Sequence, residues 1–373
     1  MKRDIIGLVD CHNCPEMGSL TANRALASTS FLGRYAFADF ALSNFCNSEI
    51  NDVCVLVKDH ERSILKHLGN MTSWLTNTKI GREQILYNER GILNPPFNHD
   101  INNIRENDWV LYSSNASYLV FMAPHIVLDI DLRPIIAEHI ARKEKMTMVY
   151  KPLEDADIEF RSEDLLEIDE EGYVTSISKN DGTKKKANAS LAIWIVNRTI
   201  LADIIKRHGA VNPLYGMKEM IPYLLRVAPF KIHSYKFEGY ARCFDSFAHY
   251  IEYSFELLNA GVAKELFNPD WPIFTLTHDT PPALYGKDSK VVNSFISNGC
   301  VVEGEVENSI ICRNVKIGRN TKITDSIILS NVAIGDETIV KNVVIDKYSV
   351  ITSRQKVEGK PDEFVYLKQG VII

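Results

Sequence analysis

Over residues 1 to 267, short apolar runs alternate with segments whose apolar side chains recur three and four residues apart, the pattern of strands interleaved with amphipathic helices. The strand runs are Ile5 to Val9, Val53 to Lys58, Tyr118 to Met122, Met146 to Tyr150, Leu191 to Val196 and Lys231 to Phe237. Helical spacing marks 132 to 145 and 199 to 209, and Gly209 reads as the stop of the second. Strands and helices in alternation predict an α/β domain with a doubly wound, mostly parallel sheet. Such sheets bind ligands beyond the C-terminal ends of their strands, so the loops after residues 9, 57 and 122 are where chemistry is expected.

The pattern then changes. Residues 268 to 287 hold four prolines and read as an extended linker. From residue 288 to 373 the apolar period becomes six: Ile311, Ile317, Ile323 and Leu329 form one inward series, and Ser309, Val315, Thr321 and Ile327 form its partner two residues earlier. After Leu329 a one-residue deletion shifts the frame to Val332 and Ile334, continued by Thr338 and Val340. Hexapeptide periodicity predicts a parallel β-helix, whose coils bury one aliphatic column per face and are stable only when stacked. Acyltransferases built on such coils use a histidine base, but all ten histidines lie at or before His278, which leaves this coil a structural or regulatory part.

Composition narrows the classes. With 45% hydrophobic and 24% charged residues, 373 residues suffice for two sizeable cores. A net charge of -6 disfavours a general nucleic-acid binder, and Lys184, Lys185 and Lys186 read as a solvated loop. No apolar run reaches a membrane span or a signal h-region, so a cytoplasmic protein without membrane contact is expected. Seven scattered cysteines suit a reducing compartment. Cys11 and Cys14 form a CxxC after the first strand, but no second CxxC or His/Cys pair completes a zinc site, and they read as small side chains in a turn.

One segment carries a family resemblance: "LTANRALASTSFLGRYAFADFALSNFCNSEI", residues 20 to 50, with "ILKHLGN" at 64 to 70. Together with the two-part organisation it resembles bacterial glucose-1-phosphate adenylyltransferase, or ADP-glucose pyrophosphorylase, and within it the catalytically degenerate second-subunit type of Gram-positive bacteria. The resemblance implies a nucleotidyltransferase-like domain followed by a left-handed β-helix. It also implies which positions should carry chemistry, and several here do not. Active members have a glycine-rich loop after the first strand; Cys11 to Leu20 has no glycine before Gly18 and no arginine. A phosphate-facing lysine corresponds to Leu26, followed by Ala27, Ser28, Thr29 and Ser30. The first Mg²⁺ carboxylate, in S-G-D-H, corresponds to Pro124 of "FMAPHIV", and the second, in D-x-G-T-x-D-S, to Tyr240 of "YARCFDSF". The sugar-phosphate lysine of E-K-P corresponds to Asn180, and "PPFNHDINNIRENDW" offers no counterpart of G-T-A-D-A.

What remains of the substrate site by resemblance is Asp39, Ser43, Asn44, His125, Asp245 and Ser246. Residue by residue, a structural reading stands beside each: Asp39, Ser43 and Asn44 as braces of the loop after the first strand, His125 as a satisfied core histidine, Cys243 as buried bulk. Asp129 or Asp131 could be displaced metal ligands, but acids at a strand-to-helix junction usually cap helices. The resemblance therefore implies no catalytic residue, no metal site and no tightly bound cofactor in this chain. Mg²⁺ would be required only by a catalytic glucose-1-phosphate adenylyltransferase subunit, with which this chain would form a hetero-oligomer in glycogen synthesis as a regulatory or stabilising subunit, open to a small-molecule effector. Self-association into a homo-oligomer, a residually active nucleotidyltransferase and a non-enzymatic sensor of sugar phosphate or nucleotide remain as alternatives.

Overall fold

The first apolar run forms β1 (Ile5–Asp10), whose side chains are buried on both faces from Ile6 onward, as a central strand requires. The computed structural model describes residues 5–74, 82–113, 115–228 and 230–373, and the statements below concern these. β1 is flanked in parallel by β2 (Asp52–Val57) and β4 (Tyr118–Met122), and β2 by β3 (Arg82–Tyr87). Beyond β4, β9 (Ala187–Asn197) runs antiparallel to β4, to β6 (Met146–Leu153) and to β7 (Asp164–Ile168). β8 (Val174–Lys179) and β10 (His233–Lys236) complete nine strands. A separate two-stranded ribbon pairs β5 (Ile126–Leu128) with β11 (Ala241–Cys243).

Helix α1 (Phe37–Asn47) packs so closely that a Cβ on Gly7 would stand 2.9 Å from the Phe45 ring, which explains a glycine inside a buried strand. Further helices are α2 (Glu61–Leu68), α3 (Asp100–Glu106), α4 (Leu132–Ala141), α5 (Arg198–Val211), α6 (Met217–Val227), α7 (Phe247–Glu256) and α8 (Ala260–Leu266). Gly209 does not stop α5, which runs on to Val211 and ends before Asn212 and Pro213, where proline forbids the next turn. No described helix is long and apolar enough to cross a membrane.

The segment after Leu266 crosses over α1, and the coil begins at Leu284–Tyr285. Three five-stranded parallel sheets close a left-handed β-helix. Two columns fill its interior from two faces, Val302–Ile317–Ile334–Ile351 and Val306–Ile323–Val340–Val357. The third column is Ile296–Ile311–Ile328–Ile345. This corrects the expected frame: Ile327 and Leu329 do not point inward, because the register already drops one residue before Ser326. The left-handed corners show it directly. They fall at Asn314, Asn320, Asp325, Asn331, Glu337, Asn342 and Tyr348, so each coil is six, six and five residues long.

Ile327 and Leu329 are aliphatic for another reason. With Ile310, Cys312 and Val344 they leave the prism and pack on Met17, Leu20, Leu26, Phe31, Phe37 and Phe244 of the first domain. The loop after β1, with no glycine before Gly18, supplies two of these plugs, Met17 and Leu20, both fully buried. Arg24 crosses the same boundary to Asp346 at 2.5 Å, and Tyr366 Oη donates to that carboxylate at 2.6 Å. Apolar area and a buried ion pair thus bind the two domains into one body.

Candidate functional site

At the C-terminal ends of β1 and β4, Asp10, His125, Glu163, Asp164 and Lys218 converge. His125 is fully buried, its Nε2 2.8 Å from Glu163 Oε1, while its Nδ1 has no partner. Lys218 Nζ lies 3.6 Å from the same Glu163 oxygen and donates to Ser162 O at 2.7 Å. Burial pushes Asp10 up and Asp164 up to about 6, whereas His125 and Lys218 hold Glu163 below its ordinary value against its own burial. Lys218, pressed downward by burial, is carried above its ordinary value by Glu163 and Asp164. The space left between these groups is about 20 Å³, room for one water.

The positions picked out from sequence fall into three places. Leu26 lies in the apolar interdomain cluster. Pro124 is buried beside His125, and Tyr240 is buried with its hydroxyl unpartnered and Arg242 over its ring. Asn180 braces the loop before β7, donating to Ala156 O, Glu159 O and Phe160 O at 2.8, 3.1 and 3.1 Å. Asp245 accepts from Ser162 N at 3.2 Å and meets His249 Nδ1 at 2.5 Å, raising the imidazole's pKa, and Ser246 caps α7 by accepting from His249 N at 3.1 Å.

The expectation that Asp39, Ser43 and Asn44 brace the loop after β1 is not met, because α1 turns them elsewhere. Asp39 accepts from Ala36 N at 2.8 Å and meets His67 of α2 at 2.5 Å. Ser43 accepts from Phe274 N at 2.8 Å; Asn44 Oδ1 accepts from Ile130 N at 3.1 Å and Trp271 Nε1 at 3.0 Å. The motif clamps the interdomain crossing and the segment after β5. Asp131 caps α4 by accepting from Arg133 N at 2.9 Å, and Asp129 is half-buried, pushed up to about 6 by burial. Cys11 is buried and Cys14 half-buried; the Cys14 thiol is driven far up by its bond to Cys11 and by burial, the reverse of a reactive thiolate.

A second cavity, of about 540 Å³, opens between the domains. Arg24, Arg34, Arg62, Lys66, Arg313 and Lys347 line it, and no described acidic residue does. Arg24 Nη1 and Arg313 Nε are buried without a partner. Burial and Arg24 push Lys347 down to about 8, and burial and Arg34 push Arg313 down. Unpaired donors and mutually repelling cations are what an anion would satisfy. A larger cavity of about 780 Å³ beside β3 carries both signs, Arg90 facing Glu106 at 3.8 Å, and lacks that bias. Sequence reasoning missed the basic cleft because its residues span more than 300 positions. The available signal was the coil period: Arg313, Ser330 and Lys347 stand 17 apart on one edge.

Comparison with known proteins places this geometry. A nucleotidyl transferase family model matches residues 17–214, and a GlmU-like C-terminal hexapeptide model matches 281–372. The chain is 30% identical over 361 residues to the glycogen biosynthesis protein GlgD of Bacillus subtilis, covering 95% of this chain and 92% of that one. The chain belongs to the glucose-1-phosphate adenylyltransferase family, on its GlgD-like branch. Enzymes of that name from Thermotoga maritima (29% identical, 82% of this chain and 73% of that one) and Bacillus cytotoxicus (24%, 95% of each) are more distant in sequence. The Mg²⁺ that the family's reaction implies does not fit here. It wants oxygen ligands in an octahedron, yet Pro124 offers none and Tyr240 only a phenol, and Glu163 stands beside nitrogen and sulfur donors, His125 and Cys243.

Proposed function

We propose that the chain is a non-catalytic regulatory subunit of a glucose-1-phosphate adenylyltransferase in glycogen biosynthesis, assembling with a catalytic homologue and responding to a phosphorylated effector in the interdomain cleft. The observation that carries this reading is the contrast between its two sites. At the strand ends, where nucleotidyl transfer needs glycine backbone, lysine and two metal carboxylates, the cleft is closed to about 20 Å³, with Glu163 held by His125 and Lys218. Between the domains, six cations line about 540 Å³ with no described acidic residue in the lining, and among the described residues only Arg24 of the six is ion-paired, to Asp346 behind the wall.

The similarity to GlgD and to glucose-1-phosphate adenylyltransferases supports the glycogen role. A partner's rate changes only if this subunit binds the partner's active and less active states unequally, and effector occupancy of an interdomain cleft is one physical route to that difference. Sedimentation velocity with a catalytic homologue tests the assembly. A species heavier than either component, shifted by a sugar bisphosphate, is expected. Two components that sediment independently at all ratios would overturn the reading.

A further inference from the structure

Three metal-ligating side chains from distant parts of the chain meet in the closed cleft, and neither the family's reaction nor the effector reading uses them as a set. His125, Glu163 and Cys243 are all buried, and one ligand atom from each lies within 4.8 Å of the other two. The fold places them rigidly. Cys243 ends β11 and pairs in register with Ile126 of β5, and Phe244 N donates to His125 O at 2.8 Å, so ribbon pairing holds the thiol beside the imidazole. Glu163 enters β7 next to Ser162, whose Oγ contacts Cys243 Sγ at 3.4 Å and Glu163 Oε1 at 3.3 Å.

We propose that His125, Glu163 and Cys243 bind a zinc-class divalent cation, with a water in the adjoining cavity as fourth ligand. Imidazole, carboxylate and thiolate form a borderline-soft donor set that suits Zn²⁺ or Co²⁺ and not Mg²⁺. Tetrahedral bonds of about 2.0 to 2.3 Å place neighbouring ligand atoms roughly 3.5 Å apart; the His125 Nε2–Glu163 Oε1 pair, now at 2.8 Å, opens to that spacing within a cluster that spans no more than 4.8 Å. The cavity of about 20 Å³, lined by His125 and Glu163, accommodates one water.

Charge also favours a cation: Asp10, Glu163 and Asp164 line the pocket with Lys218 as its one lysine. Binding replaces the His125–Glu163 hydrogen bond by two metal bonds. The Cys243 thiol proton is released to solvent, and the His125 ring takes the tautomer with its proton on Nδ1, so that the neutral imidazole offers the Nε2 lone pair to the metal. Lys218, 3.6 Å from Glu163 Oε1, opposes the incoming charge and sets the affinity below that of an unopposed site. The CxxC after β1 is separate from this cluster, and no spacing in the sequence announces it, because its ligands lie 38 and 80 residues apart.

The test is titration of the full-length protein, stripped of metal, with Co²⁺ followed by absorbance, and with Zn²⁺ followed by elemental analysis after dialysis. One equivalent, with a thiolate-to-cobalt charge-transfer band, is expected. Cys243→Ser should abolish the band and weaken Zn²⁺ at least tenfold, Glu163→Gln should weaken Zn²⁺ while keeping the band, and Cys14→Ser should change neither. Lys218→Met should tighten binding. Less than a tenth of an equivalent retained by the wild-type protein, or a band that survives Cys243→Ser and vanishes in Cys14→Ser, would overturn the proposal.

Discussion

Replacing Arg313 by alanine should leave the free protein nearly unchanged and cripple its grip on phosphorylated anions. The side chain gives little to the free fold: one bond from its guanidinium to Leu276 O at 3.3 Å, a buried Nε with no partner, and repulsion from Arg34. Losing that bond costs about 0.5 to 1.5 kcal/mol, and losing an unpaired buried donor and a like-charge contact returns a similar amount, so a net change under about 1 kcal/mol is expected. With an anion in the cleft the balance reverses. A charge-assisted bond to phosphate contributes about 1.5 to 3 kcal/mol, so Kd should rise about 10- to 150-fold.

Isothermal titration of the isolated protein with a hexose bisphosphate and with sulfate measures this, with Arg207→Ala as control, an exposed arginine paired to Asp203 at 2.9 Å. The same titration should weaken as pH rises through about 8, since Lys347 loses its proton there in the free protein and must be charged to hold the anion. Equal affinities for Arg313→Ala and wild type, or a free variant destabilised by several kcal/mol, would refute the reading of the cleft.

Other consequences reach the fold. Ile327→Glu should open the domain interface while sparing the prism interior: a loss of at least about 2 kcal/mol multiplies the opened population about 30-fold, readable as faster proteolysis between residues 268 and 283, whereas Ile328→Glu should unfold the coil itself. Asp100, held up at about 7 first by burial and then by Asp10, binds its proton more tightly folded than unfolded, so stability falls as pH rises from about 4 to 7. Asp100→Asn should flatten that slope in urea titrations, and an unchanged slope would assign the pH dependence to other groups.

How much of this was legible from sequence depends on what each residue had to satisfy. β1 and the coil announced themselves because burial on both faces, or stacking every turn, leaves a continuous apolar record. β3, with "REQILY" at the sheet edge, and β8, with "VTSISK" mostly exposed, left no such record. The coil frame was misread at Ile327 and Leu329 because a second domain covers the outside of that face, which makes outward positions as apolar as inward ones. The DFALSN segment was recognisable, yet its work as a clamp on Phe274 and Trp271 appears only in three dimensions, as does the meeting of His125 with Glu163.

The central claim is decided by initial rates of ADP-glucose formation from ATP and glucose-1-phosphate with Mg²⁺, measured for this protein alone, a catalytic homologue alone, and the two co-purified. No turnover alone, with a changed maximal rate or substrate affinity in the mixture, is the predicted result. Clear turnover by this protein alone would contradict it and would mean that the site around Pro124 and Tyr240 has been rebuilt from other residues.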